Sequence, residues 1–208
     1  MIVAGLTGSI GMGKSTVAAY LRDQDIPVLD ADKIVHDLYA GESVPLIEAV
    51  FPGTTRDGVV DRAALAVKVV ASPTELKKLE AIIHPRVRAA EWGFLLDEQD
   101  KGSDLAVLEI PLLFETASHT LFDAIIVVSA PPDVQRARLL ARPGMTVDKL
   151  DALIARQLPD DEKRAKADFV VDTGVPLEDT YRQIDAVLVE ILKRPPLAYQ
   201  RWADLQED

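Results

Sequence analysis

The chain has no cysteine, which excludes disulfides and thiolate-bound metals and removes any sign of an oxidising compartment. It has no asparagine either. Any activity that needs an Asn side chain is closed to it, including guanine readout by Asn-Lys-x-Asp in a nucleotide-dependent switch. No apolar run approaches the ~18 residues of a membrane span. The N-terminal MIVAGLTGS lacks the charged n-region of a secretory signal. Positive charge is scarce: 23 Lys and Arg stand against 34 Asp and Glu, a net charge of −11. That balance argues against a general nucleic-acid partner. It leaves room for an anionic small ligand, because a local basic pocket can oppose the global sign. These absences predict a cytoplasmic protein with neither membrane nor nucleic acid as partner.

What is present is an ordinary globular composition, 48% hydrophobic and 27% charged over 208 residues, enough for one domain with a sizeable core. Short apolar runs alternate with helical spacing. Ile2 to Leu6, Ile26 to Leu29, Leu105 to Ile110, Ala124 to Val128 and Phe169 to Val171 read as five strands. Helices are expected over Ser15 to Arg22, after Asp32, over Val134 to Leu140, over Val147 to Leu158 and over Leu177 to Leu192. The alternation predicts an α/β fold, three-layered α/β/α, with a parallel sheet covered on both faces. Residues 41–100 carry helical patterns and no central strand, and read as a helical lobe inserted between the second and third strands. The last dozen residues, with Tyr199 and Trp202, read as a loosely held tail.

The strongest local signal is GSIGMGKS at positions 8–15, between the first strand and the first helix. It matches GxxxxGK[ST] in full. Glycines let consecutive backbone N–H groups turn inward into a nest for phosphate oxygens. The helix that follows adds its unpaired N-terminal donors and the positive end of its dipole. Lys14 supplies a compact positive charge, and the Ser15 hydroxyl a ligand for Mg²⁺. The triphosphate-binding set is then Gly8, Gly11, Met12, Gly13, Lys14, Ser15 and Thr16. The loop identifies a nucleoside triphosphate and leaves its acceptor open.

Two carboxylates, Asp30 and Asp32, follow the second strand. Ligands of open α/β sheets sit at the carboxyl ends of strands. A carboxylate there can take a proton from an attacking hydroxyl, orient Mg²⁺ through water, or simply cap the next helix. Residues 136–166 hold eight Lys and Arg against five Asp and Glu. Arg138 and Arg142 share a helix face there, and Arg142 precedes Pro143-Gly144, where a hinge fits. The segment reads as a lid over the nucleotide, with Lys149, Lys163 and Lys166 on a solvated face. His84, in IIHPRVR with Arg86 and Arg88, suits either a structural role or an anionic acceptor.

In series, LTGSIGMGKSTVA, VLDADKIVHDLY, LEAIIHPRVR, IPLLFE, QRARLLAR, Arg156-Gln157 and KADFVVD resemble the motifs of dephospho-CoA kinases, in order, from about residue 2 to 190. The resemblance implies a P-loop NTPase-type fold with a five-stranded sheet, a helical acceptor-binding lobe and a helical lid. It implies phosphorylation of the ribose 3′-hydroxyl of dephospho-CoA by ATP with Mg²⁺. On that pattern Asp32 is the base, Arg142 the lid arginine, and Thr7 lies beside the reacting phosphates. His84, Arg88, Leu112, Leu113 and Glu115 fall in blocks that line the acceptor site. The family often has Asn after the fifth strand, near the adenine; this chain has Thr173, which lacks an amide's paired donor and acceptor. The competing readings are another small-molecule or nucleoside monophosphate kinase of this architecture and a non-catalytic nucleotide-binding module.

Overall fold

A computed structural model describes residues 1–70, 72–116 and 118–206. The chain divides into two compact units, one of Met1–Leu29 with Leu95–Asp208, the other of Asp30–Phe94.

The first unit is built on a five-stranded sheet. Its strands are β1 (Ile2–Thr7), β2 (Val28–Asp30), β5 (Leu105–Glu109), β6 (Ala124–Ser129) and β7 (Phe169–Asp172), in the spatial order β2-β5-β1-β6-β7. The pairings of β1 with β5 and β6, and of β6 with β7, are parallel. Every residue of β1, β5 and β6 is buried. That is why these strands read as unbroken apolar runs rather than alternating ones: helices cover both faces. On one face Ala4, Leu6, Val107, Ile126 and Val128 pack with Val17 and Leu21 of α1 (Lys14–Asp23) and with Ile184 and Ile191 of α9 (Leu177–Ile191). The central position of β1 puts the loop that follows it at the switch point of the sheet, the usual ligand crevice of open α/β folds.

Three sequence expectations are corrected in this unit. The helix expected to run to Leu158 stops earlier, as α7 (Val147–Ile154). The Gln157 side chain and the Leu158 N–H are bonded elsewhere, to Ile10 and Glu115, and Pro159 follows. Lys163, in α8 (Asp160–Lys166), is fully buried rather than solvated, and pairs with Glu115 at 2.9 Å. The C-terminal tail is a packed helix, α10 (Ala198–Asp204), with Trp202 2% exposed and set edge-on against Phe122 at 6.1 Å. Asp123 makes this possible. Its Oδ1 accepts from the N–H groups of Leu197 and Ala198, and its Oδ2 from that of Val3.

The second unit holds α2 (Ala31–Leu38), α3 (Val44–Val50), α4 (Arg62–Val69) and the first part of the long α5 (Pro73–Lys101), which passes through Pro85. Arg86 donates to Ile82 O at 2.7 Å in the turn where the proline interrupts the backbone ladder. A hairpin that the helical reading overlooked joins β3 (Thr55–Arg56) to β4 (Val59–Val60). Its turn is Asp57-Gly58, both with positive φ, the pattern of a type I′ hairpin. Among the described residues no helix is long and apolar enough to cross a membrane.

Candidate active site

The loop from Gly8 to Gly13 joins β1 to α1 and turns through Gly11 and Gly13 at φ +81° and +86°. Gly13 has no room for a side chain in any case: a Cβ there would sit 2.9 Å from Thr173 Oγ1. The Gly13 carbonyl accepts from Thr16 and Val17, so helical bonding starts at the loop's end. The N–H groups of Gly13, Lys14 and Ser15 meet no acceptor among the described residues, as expected of the open donors of a helix N-terminus. Ser15 and Thr16 are exposed.

Lys14 Nζ donates to Glu109 Oε1 at 2.9 Å. The Glu109 side chain is 4% exposed and that of Lys14 15%. Arg22 stands 3.8 Å from the other Glu109 oxygen. Glu109 is the last residue of β5 and registers with Leu6 on β1, two positions before the loop begins. Sequence reading missed it. The signal was a single carboxylate closing the apolar run LAVLE beside the glycine loop. Among the described residues no group of three or more His, Asp or Glu side chains could cage a metal. A Mg²⁺ ion needs no such cage, since it keeps waters and takes phosphate oxygens with one or two protein ligands. The exposed Ser15 hydroxyl, with Glu109 close to Lys14, fits that mode.

Thr173 is buried below the loop. Its hydroxyl donates to Met12 O at 2.7 Å and accepts from Arg138, which also donates to Thr173 O at 2.6 Å. Arg138 belongs to α6 (Pro132–Leu140) and reaches Gly11 O as well. Thr173 thus braces the phosphate loop with a side chain fully engaged by its neighbours. From the other side, Gln135 Nε2 donates to Ile10 O and Gln157 Oε1 accepts from Ile10 N–H. Thr7 is buried and donates to Pro111 O at 3.2 Å.

In the IPLLFE segment Leu112 is exposed, whereas Leu113 is fully buried, with its Cδ1 filling the space beside Gly5. Glu115 accepts from Lys163 Nζ and from Leu158 N–H. Burial acts to raise its carboxyl, but those two bonds hold it below the ordinary carboxylate range. The structure therefore gives Leu113 and Glu115 packing partners within this unit and leaves Leu112 at the surface. Arg142 is exposed just before Gly144, whose φ is +71°.

In the second unit, Asp30 Oδ1 accepts from Lys33 N at 3.1 Å and caps α2. Asp32 lies in the first turn of that helix, exposed, and is not its cap. His84 and Arg88, four residues apart on α5, are both exposed on one helix face.

The dephospho-CoA kinase family matches residues 1–179 of the chain. The chain belongs to that family. A dephospho-CoA kinase of Mesorhizobium japonicum is 54% identical over 191 residues, covering 92% of this chain and 97% of the relative. A crystal structure of a Thermus thermophilus protein superposes with a TM-score of 0.80 at 38% identity, covering 91% of this chain and 97% of that one. The dephospho-CoA kinase of Campylobacter jejuni gives 0.61 at 25% identity, covering 91% and 96%. The phosphate-loop and IPLLFE blocks that carried the resemblance lie inside the matched range, and so do Glu109, Arg138 and Gln157.

Proposed function

We infer that the chain transfers the γ-phosphoryl group of ATP to the ribose 3′-hydroxyl of dephospho-CoA, giving CoA and ADP in the last step of CoA synthesis. The observation that carries the chemistry is Lys14 held at 2.9 Å from the buried Glu109 at the mouth of the phosphate loop. Lys14, with the free N–H groups of Gly13, Lys14 and Ser15, receives the β- and γ-phosphates. Gly8, Gly11 and Met12 shape the cradle, and the Ser15 hydroxyl is the protein ligand for Mg²⁺. A metal ion there would neutralise part of the triphosphate charge.

In this reading Asp32 takes the proton of the 3′-hydroxyl. The freed oxygen attacks the γ-phosphorus, and the bond to the bridging oxygen breaks as ADP departs. Asp32 suits that task because Asp30 already caps α2, which leaves the second carboxylate exposed and without a structural duty. Arg142 supplies positive charge from the lid segment to the transferring group. His84 and Arg88 contribute to binding the anionic acceptor, and Leu112 offers it an apolar contact. Thr173 serves the nucleotide indirectly, by holding the loop through Met12 O.

The test is direct. Purified chain with ATP, Mg²⁺ and dephospho-CoA should form CoA and ADP in equal amounts. A folded protein that forms no CoA above background refutes the assignment.

A further inference from the structure

We propose that Gln157, on the arm that returns from the lid, is a positioning residue for the phosphate loop and sets the affinity for ATP. It rests on the reading that the loop holds the triphosphate. Its starting point is Ile10, which immediately precedes the loop's turns at Gly11 and Gly13. Both polar groups of its backbone are taken by glutamine side chains from different elements. Gln157 Oε1 accepts from Ile10 N–H at 2.9 Å, and Gln135 Nε2 donates to Ile10 O at 2.7 Å. Together they fix the peptides on either side of Ile10.

That matters because the next residue is Gly11 at φ +81°, and glycine in that region also visits many other conformations. A nest binds phosphate only when its N–H groups converge. With the Ile10 peptides fixed, Gly11 to Gly13 start from a defined direction. Without them, triphosphate binding must itself order the loop, and that cost appears as lost affinity.

Gln157 is held firmly enough for the task. The N–H of the next residue, Leu158, donates to Glu115 Oε1 at 2.9 Å. The same oxygen pairs with the fully buried Lys163 at 2.9 Å, and Lys163 Nζ also reaches Pro111 O, the acceptor of the Thr7 hydroxyl. The arm is thus anchored beside the loop, while α7 immediately before it is tied to α6 by the exposed Arg136–Asp151 pair. Gln157 links the base of the lid segment to the phosphate loop.

The experiment replaces Gln157 by Met in the full chain, which keeps the length and removes the acceptor. Titration with a non-hydrolysable ATP analogue and steady-state kinetics should both show roughly tenfold weaker nucleotide binding, the size of one lost hydrogen bond. The KM for dephospho-CoA should stay within about twofold, and the Tm within about 2 °C. Unchanged affinity for the analogue overturns the proposal. So does an equal loss for both substrates with a lowered Tm, which would make Gln157 merely structural. Hydrogen exchange on the unmodified chain gives an independent reading. The Ile10 amide should be protected roughly tenfold or more relative to an unbonded loop amide, and free exchange there also overturns the proposal. The titration needs no acceptor, so a chain that binds the analogue but forms no CoA refutes the reaction and not the role of Gln157.

Discussion

Lys14 and Glu109 form an ion pair of 2.9 Å at the point where the central strand gives way to the phosphate loop. The pair joins the end of β5 to the start of α1, and the neighbouring strands are in register up to Leu6 and Glu109. A triphosphate bound in the loop would compete with Glu109 for the same ammonium group. Glu109 holds Lys14 in this structure, and if Lys14 turned to phosphate the Glu109 carboxylate would be free to orient waters around a Mg²⁺ ion.

Those two duties separate in Glu109→Gln. Loss of the competing charge should leave ATP binding without Mg²⁺ unchanged or somewhat tighter, while turnover with Mg²⁺ falls roughly 10²-fold, as for loss of one preorganised electrostatic group. Titration and steady-state kinetics on the same preparation provide both numbers. Turnover close to that of the parent chain would reduce Glu109 to a structural partner of Lys14.

Asp30 and Asp32 should divide cleanly as well. Asp30 caps α2 through Lys33 N, so Asp30→Ala should cost about 1 kcal/mol of stability. Asp32 caps nothing, so Asp32→Asn should leave stability nearly unchanged and lower turnover by roughly 10²–10⁴-fold, with ATP affinity preserved. Urea unfolding and initial rates on both variants decide it. An active Asp32→Asn enzyme would move the base elsewhere.

Much of this was legible in the chain because it is local. The glycine loop is a contiguous motif, and the three fully buried strands, β1, β5 and β6, announce themselves as apolar runs. The boundaries that moved did so through distant partners. Gln157 leaves the helix pattern for a backbone group 147 positions away, and Lys163 is buried because Glu115 meets it. The hairpin at Asp57-Gly58 was readable as a turn dipeptide, but strands of two residues each carry too little alternation to stand out beside helical neighbours. Thr173 is tied to the loop by the bonds its hydroxyl makes with Met12 and Arg138, which no spacing rule connects.

Trp202 gives the sharpest correction of the reading as a tail, and a stability test with it. It is 2% exposed against Phe122, and its Nε1 finds no acceptor among the described residues. Trp202→Ala should cost about 3–5 kcal/mol, as for other large aromatic truncations in cores. Trp202→Phe should cost much less, since it keeps the ring contact and removes the unbonded N–H. Urea unfolding measures both. A loss below about 1 kcal/mol for the alanine variant would return the segment to a frayed end.

Glu91 sets a pH dependence of its own. It is 6% exposed, and burial pushes its carboxyl from the ordinary 4.5 up to about 7, with Arg88 pulling the other way. Below pH 4.5 the folded and unfolded chains both hold this proton. Between 4.5 and about 7 only the folded chain keeps it, so this group's effect on stability worsens as pH rises through that window. Above it, the full cost of a buried charge remains, roughly 3 kcal/mol for a shift of that size. Glu91→Gln resembles the protonated acid at every pH. It should therefore stabilise the fold by roughly 2–3 kcal/mol at pH 8 and by almost nothing at pH 4.5. Urea unfolding of both proteins at the two pH values supplies the comparison. An equal gain at both, or none at pH 8, would mean that the Glu91 carboxylate is solvated well enough to ionise with the unfolded chain.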